Sequence, residues 1–141
     1  MHSVCRRDSS MIIGVTGTRH GMSDAQFYAV FSFFQNNQIT ELHHGDCVGV
    51  DFEVATIAQE LGIKTIAHPP EKDEYRAFHP SDLIKQSFSY FKRNRNIVDI
   101  SQFMLVIPYD NDRTKGGTWY TYNYARRHDK PLKIFERNVS E

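Results

Sequence analysis

Three glycine-containing segments of this 141-residue chain carry the residue types that meet an anion: Gly14-Val15-Thr16-Gly17-Thr18-Arg19, Gly45-Asp46-Cys47-Val48-Gly49-Val50-Asp51 and Gly116-Gly117-Thr118. Glycine lets the backbone come close to a phosphate, and the N–H groups at a helix start are unpaired donors with a favourable dipole. Thr18 and Thr118 add hydroxyls, and Arg19 adds a guanidinium that can fork onto a phosphate or carboxylate. Gly17, Thr18, Arg19, Gly45, Gly116, Gly117 and Thr118 are therefore candidate ligand-binding residues. The stretch Phe91-Lys92-Arg93-Asn94-Arg95-Asn96 offers Arg93 and Asn94 to the same rim. Three cations in four positions cannot share one helix face, so Lys92 reads as solvated. Asp46 and Asp51 could accept from ribose hydroxyls, or act as the catalytic carboxylates if a glycosidic bond is cleaved.

These segments converge only if the elements around them place them so. Met11–Val15, Ile39–His43, Ile63–Ala67, Phe103–Ile107 and Pro131–Phe135 are short apolar runs of strand length. Between them, Phe27, Val30, Phe31 and Phe34 recur at helical spacing from about Asp24 to Asn36, with Ser23 or Asp24 as N-cap. A second helix follows Val50 and closes at Gly62, a third is expected from about Leu83 to Ile100, and a fourth from Gly116 to Arg127. Residues 71–82 lack a period and read as a loop or lid. Strands alternating with helices predict one α/β domain, Rossmann-like, in three layers with a mostly parallel five-stranded sheet. In such sheets ligands sit beyond the carboxyl ends of the strands, where the three glycine segments fall.

Composition narrows the function classes. The 17 Lys+Arg balance 17 Asp+Glu, which argues against binding a polyanion by bulk attraction. Residues 1–10 are polar and read as a flexible extension without the apolar core of a signal peptide, and no run could span a bilayer. A cytoplasmic protein with no membrane association is the expectation. Cys5 and Cys47 form no framework of disulfides or zinc ligands, and the paired His43 and His44 should point to opposite faces of a strand. No metal and no cofactor is expected. Trp119, Tyr120, Tyr122 and Tyr124 cover more than one face of their helix, which suggests either a helix sandwiched within the fold or a partner surface. A homo-oligomer through that helix is the corresponding expectation.

The order Gly14-x-x-Gly17-x-Arg19, Gly45-x-x-x-Gly49-x-Asp51-x-x-x-Ala55, Arg93-Asn94-Arg95-Asn96-Ile97-Val98-x-x-Ser101 and Gly116-Gly117-Thr118 resembles the SLOG superfamily. This Rossmann-like group includes the DNA-uptake protein DprA and the cytokinin-activating LOG phosphoribohydrolases. The resemblance spans about residues 11–135, and its Arg-Asn-Arg stretch is similar to DprA. Of the Gly-Gly-x-Gly-Thr-x-x-Glu signature of LOG enzymes, Gly116-Gly117-Thr118 is present but no acidic residue lies between Asp112 and Asp129. The resemblance implies binding of a nucleotide or nucleotide-derived molecule, as a sensor or sequestering module. Alternatives within the group are a nucleoside 5′-monophosphate N-glycosidase and a DprA-like binder of single-stranded DNA.

Overall fold

A computed structural model describes residues 10–138. The expected extension over residues 1–10 lies outside the described residues except for Ser10. The chain runs β1 (Met11–Gly17), α1 (Asp24–Asn36), β2 (Ile39–His44), α2 (Val50–Glu60), β3 (Lys64–Ala67), β4 (Leu83–Ile84), α3 (Tyr90–Ile100), β5 (Phe103–Ile107), α4 (Gly117–Arg127) and β6 (Leu132–Ile134). The sheet order is β4-β3-β2-β1-β5-β6, and every pair is parallel.

The period-two geometry of β5 divides the core. Leu105 and Ile107 pack with Val30 and Phe34 of α1 and Val54 and Ala58 of α2. Met104 meets Ile97, Val98 and Ala125, and Val106 meets Trp119 and Tyr122, so α3 and α4 cover the opposite face. All of these strand residues are buried, as a central parallel strand requires. Helix α1 opens on a capping box: Ser23 Oγ accepts from Gln26 N at 3.2 Å, and Ser23 N donates to Gln26 Oε1 at 3.0 Å. The Gln26 amide then donates to the carbonyls of Pro108 and Phe135, each at 2.8 Å, which ties the helix to the carboxyl end of the sheet.

Two expectations need correction. The sheet has six strands rather than five, and α3 starts at Tyr90 rather than near Leu83. Leu83 and Ile84 instead pair with Ile66 and Ala67 on the sheet edge. Asp82 fixes them there: its Oδ2 accepts from Thr65 N at 2.9 Å, and Asp82 N donates to Thr65 Oγ1 at 3.1 Å. A two-residue strand with both side chains largely exposed carries no hydrophobic period, so the sequence hides it. No helix among the described residues is long and apolar enough to cross a membrane.

Candidate functional site

Strand order reverses at β1, with β2 on one side and β5 on the other, and the carboxyl ends of β1 and β5 open into a cleft of about 920 Å³. Thr18 N donates to Ile107 O at 3.1 Å, which seals the two strand ends together beneath it. One wall is Gly17, Thr18, Arg19 and His20, leaving β1. A second is Tyr109 and Asp110 after β5, continuing to Lys115, Gly116, Gly117, Thr118 and Trp119 at the start of α4. The third comes from the long segment after β3, with Glu71, Lys72, Glu74 and Tyr75, and from Ser89 and Tyr90 at the start of α3.

Of the residues expected to bind ligand, Gly17, Thr18, Arg19, Gly116, Gly117 and Thr118 come together on this cleft. Gly45, Asp46, Asp51, Arg93 and Asn94 do not line it and form a buried polar layer beside it. Gly49 joins the two regions. Its φ of 92° is a left-handed value, and a Cβ there would collide with the Arg19 backbone. Only a glycine lets the loop after β1 cross the start of α2, where Val50 N donates to Thr18 O at 3.0 Å.

The buried layer satisfies itself. Arg93 is 2% exposed, and its Nη1 donates to the carbonyls of Gly45 and, at 3.1 Å, of His68. Its Nε donates to Asn94 Oδ1 at 2.7 Å, and Nη2 lies 3.8 Å from Cys47 Sγ. Asp51 accepts from Gly45 N at 3.0 Å and Cys47 N at 3.4 Å. A Cβ on Gly45 would fall 2.6 Å from Arg93 Nη1 and 2.9 Å from Asp51 Oδ2, so that glycine is the spacer between the two charges. Burial raises the Asp51 carboxyl to about 6, against the opposing pull of Arg93. Burial likewise pushes the Cys47 thiol up to about 11, which leaves it protonated and unreactive where it reaches the cleft.

Asp46, fully buried with φ 56°, clamps the segment after β3. Its carboxylate accepts from Arg76 Nε at 2.8 Å and His79 N at 2.9 Å, and its carbonyl accepts from Ala77 N at 2.7 Å. Val48 N donates to Tyr75 O at 2.8 Å in the same antiparallel clasp. The clasp sets Tyr75 against the cleft, where the Arg19 guanidinium lies 4.2 Å from the centre of its ring.

His43 and His44 diverge as the strand geometry demands. His43 bonds His68 and Glu41, each at 2.9 Å, while His44 bonds Ser81 at 2.8 Å. Among the described residues no three His, Cys, Asp or Glu side chains form a group that could hold a metal. The aromatic residues of α4 find partners within the chain: Trp119 and Tyr122 are buried, Tyr124 Oη donates to Asp99 at 2.8 Å, and Tyr120 packs on Phe91. Arg95 donates to Tyr120 Oη at 3.0 Å and so points away from the cleft.

Sequence reasoning missed Tyr90, Tyr109, Asp110, Lys72 and Lys115. Tyr109 and Asp110 follow β5 after a single residue, Pro108, at the switch point, a position that itself signals ligand contact. Tyr90 stands three and four residues before Arg93 and Asn94, a spacing that puts all three on one helix face.

No protein-family model matches the chain, and no curated protein is significantly similar to it. Among solved structures it is similar to the molybdenum cofactor binding protein of the phototrophic bacterium Rippkaea orientalis, with a TM-score of 0.65 and 19% identity, covering 90% of this chain and 77% of that one. It is also similar to the Moco carrier protein of Chlamydomonas reinhardtii, with a TM-score of 0.63 and 21% identity, covering 88% and 75%. A third likeness is to the structural-genomics target TM1055, with a TM-score of 0.61 and 14% identity, covering 86% and 71%. At these identities the likeness establishes a shared Rossmann-like α/β fold over nearly the whole chain.

Proposed function

We propose that this chain binds a small phosphorylated molecule of nucleotide-like build, a flat ring system bearing a phosphate, in the cleft between β1 and β5. The observation that carries the reading is the composition of the cleft at the switch point. Its volume of about 920 Å³ suits a mononucleotide-sized ligand. The backbone at Gly116, Gly117 and Thr118 supplies the start of a helix for a phosphate, and Tyr75, Tyr90 and Tyr109 supply exposed rings for stacking. Arg19, Lys72 and Lys115 share the lining with Glu71, Glu74 and Asp110, so the walls are balanced in charge. That balance favours a small polar ligand over a strand of nucleic acid, whose binding rests on an excess of cations. The names of two proteins sharing the fold, each described as binding or carrying the molybdenum cofactor, support small-molecule binding and put that cofactor among the ligands to test.

Binding without turnover is the reading the carboxylates favour. Asp46 is engaged with Arg76 and His79, Asp51 with two backbone N–H groups, and neither lines the cleft. An N-glycosidase of this chain would have to draw on Glu71, Glu74 or Asp110 instead. Association into a homo-oligomer belongs to the same reading, with exposed Phe91 and Ile100 of α3 as the apolar surface beside α4. Mass spectrometry of small molecules retained by the native protein, followed by calorimetric titration with the species found, tests the proposal directly. A phosphorylated ring compound at stoichiometric level, with no free base released on incubation, is the expected result. An empty protein that none of AMP, GMP, inorganic pyrophosphate or the molybdenum cofactor stabilises against heat would overturn it. Steeply salt-dependent capture of single-stranded oligonucleotides would replace it with the DNA-binding alternative.

A further inference from the structure

Arg93 and Asn94 are too deeply placed to touch a ligand, yet both act on a residue that can. Tyr90 opens α3, lines the cleft and is 45% exposed. Its hydroxyl stands against Gly117 at the start of α4, where a Cβ on Gly117 would run into the Tyr90 Oη. That contact gives a reason for glycine at position 117 that has nothing to do with backbone conformation: the phenol occupies the side-chain space. The Arg93 guanidinium lies 4.9 Å from the centre of the Tyr90 ring and holds it from behind.

Arg93 also orients the amide that stands beside Tyr90 on α3. Arg93 Nε donates to Asn94 Oδ1 at 2.7 Å, which fixes the amide with its NH2 end turned the other way. Asn94 lies one turn along α3 from Tyr90, on the same buried side of the helix, so Arg93 and the amide it orients together back the phenol. The Tyr90 hydroxyl, standing on the cleft beside Gly117, can donate its proton to a ligand there. Burial raises the phenol above its usual range, so the proton is retained at neutral pH.

We propose that Tyr90 is a ligand-contacting donor that reads the phosphate beside the start of α4, and that Arg93 and Asn94 are positioning residues acting through it. This rests on the binding reading above and adds the residue that distinguishes a phosphorylated ligand from its dephosphorylated counterpart. A hydrogen bond to a charged group is worth on the order of tenfold or more in affinity.

The experiment is calorimetric titration of wild type, Tyr90→Phe, Asn94→Ala, the double variant and Gly117→Ala with AMP and GMP, and with adenosine and guanosine as controls. Tyr90→Phe should weaken both nucleotides roughly tenfold or more and leave the nucleosides within about twofold. Asn94→Ala should weaken the nucleotides in the same sense but add nothing on the Tyr90→Phe background, because it acts through the phenol. Gly117→Ala keeps the phenol but displaces it, and should reproduce the Tyr90→Phe pattern even if Asn94→Ala fails to fold. A wild type that binds the nucleotides, with Tyr90→Phe unaltered or with nucleotide and nucleoside weakened equally, overturns this inference alone. A wild type that binds none of the four overturns this inference, and the binding reading falls with it if inorganic pyrophosphate and the molybdenum cofactor also fail to stabilise the protein.

Discussion

The two arginines first expected to share a ligand meet opposite fates. Arg19 lies exposed on the cleft wall, stacked on Tyr75, with its fork open to the space between β1 and β5. Arg93 lies buried behind that wall, its donors directed to Gly45 O, His68 O, Asn94 Oδ1 and the Cys47 sulfur. The carboxylates divide in the same way: Glu71, Glu74 and Asp110 face the cleft, while Asp46 and Asp51 are enclosed and hydrogen-bonded. The fold thus separates a rim available to solvent from a polar layer that shapes it. A charge in the layer contributes to stability and geometry, whereas on the proposed reading a charge on the rim contributes to recognition.

The sharpest way to break this division is Arg93→Met. The apolar side chain fills much of the volume but strands two buried carbonyls and leaves Asp51 without a neighbouring cation. Removing one partner of a buried charged group costs on the order of 3–5 kcal/mol. For a chain of this length that is a fall of about 10 °C or more in Tm, measured by calorimetry. A shift under about 3 °C would show that the layer is less tightly built than its hydrogen bonds imply.

Asp46→Asn comes next. The amide can still accept from His79 N, but the charge-assisted bond to Arg76 is lost. The expected cost is roughly 1–2 kcal/mol in chemical denaturation. Because the clasp sets Tyr75 against Arg19, affinity for a cleft ligand should fall as well. Lower stability with unchanged affinity would detach the clasp from the rim.

The pH dependence of stability separates the layer from the rim without a ligand. Burial raises Asp51 to about 6 from 3.8, so the folded chain holds a proton there that the unfolded chain releases. Through Asp51, acidification from pH 7 to pH 5 favours folding. The buried histidines oppose it. His44 and His68 are held down to about 3 from 6.5, and His43 and His79 are also lowered, in each case chiefly by burial. Their contribution is present above about pH 6.5 and lost as pH falls toward 3, since the unfolded chain takes up protons that the folded chain refuses. Four histidines outweigh one carboxylate, so the urea midpoint should drop between pH 7 and pH 5. Asp51→Asn removes the opposing group and should make that drop steeper; a shallower drop would reverse the assignment.

How far this division could be read from sequence depends on the period of each segment. The strands were legible because Ile12-Ile13 and Met104-Leu105-Val106-Ile107 are apolar on both faces, as a covered parallel sheet requires. Strand β4 was not, because Leu83 and Ile84 are exposed edge residues held by Asp82 and Thr65 through contacts 17 positions apart. The rim was legible where glycines mark strand-to-helix turns, at Gly17 and Gly116-Gly117. The fate of Arg93 was written in its helix: Arg93, Asn94, Ile97 and Val98 are all buried, at the i, i+1, i+4, i+5 spacing of an inward face. Charge type suggested a ligand, while spacing assigned the residue to the interior. The clasp of Asp46 on Arg76 joins positions 30 apart across an irregular segment and left no periodic trace.

The smallest expected effect on stability is at the rim, and it completes the contrast. Arg19→Ala removes an exposed side chain that packs on the face of Tyr75. An exposed cation–π contact is worth about 0.5–1 kcal/mol, so Tm should move by no more than a few degrees. Binding should respond differently, because a guanidinium facing a phosphate forms charge-assisted hydrogen bonds worth about 1.5–3 kcal/mol. On the proposed reading, Arg19→Ala therefore weakens AMP or GMP by roughly tenfold to a hundredfold in calorimetric titration while the protein remains nearly as stable as wild type. Arg19→Lys keeps the charge but loses the planar fork, and should recover only part of the affinity. Full recovery would mean that the rim reads charge alone. No loss in either variant would move the phosphate away from the β1 wall, leaving Tyr90, Lys72 and Lys115 as its remaining contacts on the cleft.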